Sequence, residues 1–455
     1  MSAAQRARCD VAIVGAGLAG CLLACYLARR GLRVALYERR PDPRCGAAER
    51  GRSINLAISA RGIDALRRIG LDDEVLAEAL PMHGRMIHPV DGPLDFQPYS
   101  ARGELAINSI SRAALNRALL DAADTSPDVD VVFDHRLAAL ETATGEGLGD
   151  AREVPMTFET PAGAVAARAP VVLGADGAGS AVRGALLGAG ALDERLEFLD
   201  YGYKELHIPA RAGEFALDPG ALHIWPRGSS MMIALPNPDR SFTCTLFWPN
   251  GGSECFAALS SPAAIERHFD RHYPDVVPLA PTLVDDYQHN PVGPLGTVYA
   301  TPWHADGRVG LLGDAAHAIV PFYGQGANCA FEDVVALDRC LDDTGGDWAA
   351  ALPLFEARRH EHADAIAAMA LENFVEMRDK VASPLWRLGK RIEHTVERAL
   401  PGIYRSRYEL VSFTTVPYAD VRRRARLQHA ALAGAASAVA LGVAGGVAAL
   451  VGGRD

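Results

Sequence analysis

The 455-residue chain has no Cys-x-x-Cys pair among its 8 cysteines. Cys9, Cys21, Cys25, Cys45, Cys244, Cys255, Cys329 and Cys340 are scattered instead, which indicates neither a disulfide framework nor a structural zinc site. Met1 to Arg8 lacks the apolar core of a targeting leader. With the scattered thiols, this makes a reducing, cytoplasmic setting the expectation. Basic charge is also scarce: 45 Lys and Arg against 56 Asp and Glu leave a formal net charge of −11. That balance excludes a general nucleic-acid binder, because phosphate contacts need clustered cations. HExxH is absent, and neither His360-Glu361-His362 nor the His268 and His272 pair brings a third ligand pattern in sequence, so no metal is assigned. No repeat of solenoid period occurs. What the chain does have is apolar content, 49% against 22% charged residues, enough for an ample core and two or three domains.

Cys9 to Val14 is a short apolar strand running into Gly15-Ala16-Gly17-Leu18-Ala19-Gly20, a helical stretch to Arg30 and a second strand, Leu32 to Tyr37, that ends at Glu38. Strand, G-x-G-x-x-G, helix, strand and acid together predict a dinucleotide-binding βαβ unit. Gly15 permits the tight turn, Gly17 lets the backbone approach a pyrophosphate, and Gly20 allows close helix–strand packing. The helix N-terminus offers free N–H groups to phosphate. Glu38 stands where it can accept hydrogen bonds from an adenosine ribose.

Two later segments distinguish the cofactor. Val171 to Gly174 is an apolar strand ending in Ala175-Asp176-Gly177, followed by Ser180, Val182 and Arg183. Val309 to Leu312 ends in Gly313-Asp314-Ala315-Ala316-His317 and leads to Pro321-Phe322-Tyr323-Gly324-Gln325-Gly326-Ala327-Asn328. In this order the three motifs resemble the nucleotide fingerprints of the class A FAD-dependent aromatic hydroxylases. The resemblance implies that Asp314 binds the ribityl chain and that the Gly324 to Asn328 loop faces the flavin, with Leu18, Ala57, Arg112, Asp176, Gly326 and Ala327 among the cofactor contacts. A helix N-terminus there would stabilise negative charge on reduced flavin by about 0.3–2 kcal/mol.

Further segments narrow the resemblance to the kynurenine 3-monooxygenases within that family: Gly51 to Ala57, Met82 to His88, Met231 to Phe247, Pro321 to Asp333 and Glu372 to Asp379. This implies an α/β fold in which a Rossmann-like FAD-binding domain carries an inserted β-sheet substrate domain and a C-terminal helical region. The expected boundaries are 1–75, 105–185 and 290–345 for the FAD domain, and 76–104 and 186–289 for the substrate domain. A helical region at 346–429 and an apolar tail at 430–455 complete the chain. Met231 to Leu235 and Ser241 to Trp248 alternate as strands of a second sheet.

The same resemblance implies that Arg85 and Tyr99 bind the carboxylate of L-kynurenine, with Asn373 and Tyr408 completing the polar end. Leu222, Met231, Phe247, Phe322 and Met377 would box the aromatic ring. Asn373 and Glu376, read without the resemblance, belong to the solvated face of a helix. Tyr323 departs from a histidine expected in some relatives. The implied reaction uses NADPH to reduce FAD, O2 to form a flavin hydroperoxide, and transfer of its terminal oxygen to give 3-hydroxykynurenine. No acid or base is nominated, because the aniline nitrogen already activates the ortho carbon. With one βαβ motif, NADPH would visit without its own Rossmann domain. The alternatives are hydroxylation of another aromatic substrate and a non-catalytic scaffold of the same fold.

Ala430 to Gly453 runs 24 residues without a charge behind Arg422, Arg423, Arg424 and Arg426. Its length suits a membrane span, but its Ala and Gly content makes it only modestly apolar. Membrane association through 430–453 and a loosely docked tail both remain open, as does the oligomeric state.

Overall fold

A computed structural model describes residues 9–45, 55–100, 103–141, 153–380, 383–399, 404–428 and 430–431. Gly51 to Ile54, the small-residue stretch 142–150 and the tail beyond 431 lie outside the described residues. Among the described residues, no helix is long and apolar enough to cross a membrane.

Val11–Val14 forms the middle of a six-stranded sheet, flanked in parallel by Val34–Tyr37 on one side and Val171–Gly174 on the other. Val129–Val132 and Val309–Leu311 extend it in parallel, and His304–Ala305 closes one edge antiparallel. The central strands are apolar at nearly every position because a parallel sheet is covered on both faces. Val11–Val14 and Val171–Gly174 are buried throughout. The helices Leu18–Arg29, Arg112–Asp124 and Gly326–Asp343 pack together beside it.

The second sheet has seven strands, in the order Gly293–Thr301, Asp193–Ile208, Phe242–Pro249, Met231–Pro236, Ala221–Pro226, Gly84–Ile87 and Asp95–Pro98. Its period-two alternation divides the side chains between two faces. Met231 and Phe247 are directly paired, and both belong to a core that includes Phe322, Met369, Phe374 and Met377. Met232, Leu246 and Trp248 point the other way, into a core with the helices Pro262–His272 and Leu283–His289.

The C-terminal region is not one helix. Trp348–Val375 ends in a π-helical turn at Glu376–Lys380, and Pro384–Ala399 and Arg407–Ser412 follow separately.

A buried ionic cluster joins these parts. The Asp333 carboxylate accepts hydrogen bonds from Gly313 N at 3.0 Å, His317 Nε2 at 2.6 Å and Arg359 Nε at 2.7 Å. Arg359 also pairs with Glu332 at 2.9 Å, and Arg61 pairs with the same Glu332. Arg61 in turn lies 3.8 Å over the Tyr418 ring and donates to Val411 O. Asp333→Asn removes the charge that faces the buried Arg359 guanidinium. It is expected to cost about 3–5 kcal/mol, read as a clear fall in melting temperature. An unchanged melting temperature would remove Asp333 from this role.

Candidate active site

The first turn needs its glycines for distinct reasons. Gly15 has φ +105°, and a Cβ there would sit 2.6 Å from the Ala175 carbonyl oxygen. A Cβ on Gly20 would sit 1.9 Å from the Gly15 carbonyl oxygen. Gly17 is different, because apart from its own local backbone nothing lies within 4 Å of where its Cβ would be. That opening faces a continuous cavity at the N-terminus of Leu18–Arg29, and Gly326 leaves a similar opening at the N-terminus of Gly326–Asp343. Bare backbone at two helix N-termini, spaced along one cavity, fits an extended dinucleotide.

The residues expected at the cofactor divide into two groups. Gly17, Leu18, Ala57, Arg112 and Asp314 line the cavity, as do Gly326 and Ala327. Gly15, Gly20, Glu38, Asp176 and Asn328 are not among its lining residues; they build its frame. Buried Glu38 accepts the Ala16 N–H at 3.0 Å, and its other oxygen takes Arg40 Nε at 2.8 Å, so the acid braces the glycine turn. Asp176 accepts from the Ser180 hydroxyl at 2.5 Å and Ala181 N at 2.6 Å, which caps the helix Ala181–Gly188, while its neighbours Ala175 and Gly177 reach the cavity. The Asn328 amide donates to Ala57 O at 2.8 Å and Gly324 O at 2.9 Å, and accepts from Ser59 N. It therefore staples the Gly324 loop to the strand Asn55–Ile58. Arg183 links the Asp-Gly and Gly-Asp segments through Ala178 O at 2.6 Å and Ala315 O at 2.8 Å.

At the other end of the cavity, the second sheet contributes Arg85 from Gly84–Ile87. Its guanidinium carbon lies 4.6 Å from the Tyr408 ring and 5.9 Å from Tyr99, and those two rings stack at 4.9 Å. Arg85 Nε and the Tyr99 hydroxyl are buried without a hydrogen-bond partner among the described residues. Burial disfavours the Arg85 charge, but the surrounding Tyr408, Tyr99 and Glu376 outweigh it, and its pKa is raised. Burial also raises Tyr99 and Tyr323, so both remain phenols at neutral pH. Asn373 Nδ2 donates to Phe322 O at 2.6 Å and contacts Met377 Sδ at 3.3 Å. Phe322 stacks on Phe374 at 4.1 Å and stands 5.0 Å from Phe247. All nine residues expected around the substrate line this cavity, with Leu222, Met231 and Met377 among them.

Glu376 corrects the reading of a solvated helical face. It is half-buried, 3.9 Å from Arg85 and 3.8 Å from Arg407. The π turn that starts at Glu376 rotates it and Met377 out of ordinary helical register, which no sequence periodicity reveals. Ile233, Leu235 and Thr245 also line the cavity, at two- and four-residue steps from Met231 and Phe247. Strand alternation alone could have identified them. Met82 and Ile107 line it too, paired in a small third sheet that has no comparable signal.

Residues 8–370 match a family model described as an FAD binding domain. The chain is 48% identical over 415 residues to a kynurenine 3-monooxygenase of Myxococcus xanthus, covering 90% of this chain and 86% of that protein. The chain belongs to the kynurenine 3-monooxygenase family. A second member, from Stenotrophomonas maltophilia, is 46% identical and spans 92% of this chain and 90% of its own length. The family's fold is shared by more distant solved structures. The oxygenase of 2-methyl-3-hydroxypyridine-5-carboxylic acid has a TM-score of 0.65 at 21% identity, covering 83% of this chain and 95% of its own. Pseudomonas aeruginosa PqsL, solved with 2-aminobenzoylacetate, has a TM-score of 0.65 at 23% identity, covering 82% and 97%. The family is one of FAD-dependent monooxygenases, and the glycine-lined half of the cavity fits that cofactor.

Gly20→Ala forces helix and turn apart where the cofactor half begins. The variant is expected to purify with much less flavin per chain than the parent, measured by absorbance. Equal flavin content would overturn this account of the turn.

Proposed function

We propose that this chain hydroxylates L-kynurenine at the ring carbon ortho to the amino group, giving 3-hydroxykynurenine, with NADPH and O2 as co-substrates. The observation that carries this reading is the Arg85 site: a buried cation and a buried phenol, with Arg85 Nε and the Tyr99 hydroxyl unpartnered among the described residues, beside the apolar box of Leu222, Met231, Phe247, Phe322 and Met377. Such a pair suits the carboxylate of a small zwitterion, and an Arg–carboxylate bond both holds and orients it. Glu376, at 3.9 Å, is beyond hydrogen-bond distance, so it supports the Arg85 charge without using up its donors. With its amide nitrogen committed to Phe322, Asn373 has its carbonyl oxygen left to accept from the substrate ammonium.

FAD, when bound, supplies the activation of O2 with electrons taken from NADPH. Gly17, Leu18, Arg112, Asp314, Gly326 and Ala327 would hold it, framed by Gly15, Gly20, Glu38, Asp176 and Asn328. Leu222, Met231, Phe247, Phe322 and Met377 would press the aniline ring towards it and keep water away. That exclusion protects the reactive oxygen from wasteful release as H2O2. The substrate nitrogen donates electron density to the ortho carbon, and the protonated state of Tyr99 and Tyr323 accords with a site that needs no protein base. The protein's contribution is orientation.

Purified flavin-loaded protein should oxidise NADPH faster when L-kynurenine is added and form 3-hydroxykynurenine. Absence of both would sink the proposal, and stimulation by a different aromatic acid alone would point to another substrate. Arg85→Ala should raise KM for L-kynurenine roughly 10- to 100-fold, the loss of one charge-assisted contact, with flavin content unchanged. An unaltered KM would take Arg85 out of the site.

A further inference from the structure

On the outer side of the seven-stranded sheet, away from the cavity, the helix Pro262–His272 carries His268 and His272 one turn apart. Residues four apart share a helix face, and here the two imidazole rings lie 4.5 Å apart. The loop that follows Phe242–Pro249 returns Glu254 to the same face. One ligand atom from each of Glu254, His268 and His272 falls within 4.8 Å of the others. His272 Nε2 and Glu254 Oε1 are 3.4 Å apart. Bonds of about 2.0–2.1 Å to one tetrahedral ion put neighbouring donors about 3.3–3.4 Å from each other, so this pair is already at coordination spacing. His268 is anchored from behind, with its ring 4.8 Å from Trp248.

We propose that Glu254, His268 and His272 bind a divalent transition-metal cation of the zinc type, with solvent completing its coordination. Two imidazole nitrogens and one carboxylate suit Zn2+, Co2+ or Ni2+, whereas Mg2+ and Ca2+ need mostly oxygen donors. The ion clamps the 250–255 loop onto the helix that covers the outer core around Trp248. The missing third ligand in the sequence is Glu254, which lies 14 residues before His268 and reaches it only through the fold. A second group of candidate ligands, His317, Cys329 and Asp333, does not qualify, because the Asp333 carboxylate is committed to His317, Arg359 and Gly313 N.

The test uses the full chain in its flavin-loaded form, stripped with EDTA and titrated with Zn2+ by calorimetry, with Mg2+ as the control. The parent is expected to bind one equivalent of Zn2+ at this site and none of Mg2+, with a rise in melting temperature. His272→Gln and Glu254→Gln, both at exposed or half-exposed positions, should each weaken Zn2+ binding by at least about 10- to 100-fold. Their metal-free melting temperatures should equal that of the metal-free parent, which separates ligand loss from misfolding. Co2+ in place of Zn2+ should give visible d–d absorption in the parent and lose it in both variants. Failure of the parent to bind Zn2+, or equal affinity in parent and variants, would overturn the assignment.

Discussion

The Asp333 carboxylate holds together three elements that are far apart in sequence. Gly313 and His317 belong to the turn that carries Asp314 into the cavity, Asp333 to the helix whose N-terminus bears Gly326, and Arg359 to the long C-terminal helix that brings Asn373. Burial opposes the Asp333 charge, but His317 and Arg359 overcome it and hold the carboxyl below the usual carboxylate range. The group is therefore ionised wherever the protein is folded near neutral pH. Because a lone buried charge is so costly, these donors are bound to one geometry. That geometry fixes the cofactor half of the cavity relative to the helix that helps wall the other half.

The second sheet imposes the complementary constraint. Its side chains alternate, so along the two central strands residues given to the cavity stand next to residues given to the outer core. Phe247 faces the ring box while Trp248 packs outward, and Met231 and Met232 divide in the same way. A one-residue slip would exchange the two sets. Arg85 enters through this sheet as well, paired in register with Leu222 of the neighbouring strand. The charged end and the apolar end of the cavity therefore share one scaffold.

Much of this was legible in the chain itself. The βαβ unit, the Met231 and Phe242 strands and the cavity residues around Arg85 follow from local apolar runs, glycine turns and motif resemblance. The roles within the frame were less visible. Glu38, Asp176 and Asn328 stand in cofactor motifs, yet their side chains brace a turn, cap a helix and staple a loop. Motif position alone does not say whether a polar side chain serves a ligand or the backbone. Glu376 was hidden by the π turn, and Glu254 by the loop that folds it back to His268 and His272.

The sequence by itself determined the elements and the family, because helix periodicity, strand alternation and glycine requirements depend on near neighbours along the chain. Tertiary structure alone decided which polar groups meet. Asp333 with Arg359, Arg85 with Glu376 and Tyr408, and Glu254 with His272 are each set by the packing of separate elements. Charge interactions act through space over a few ångströms, and no spacing along the chain encodes that distance.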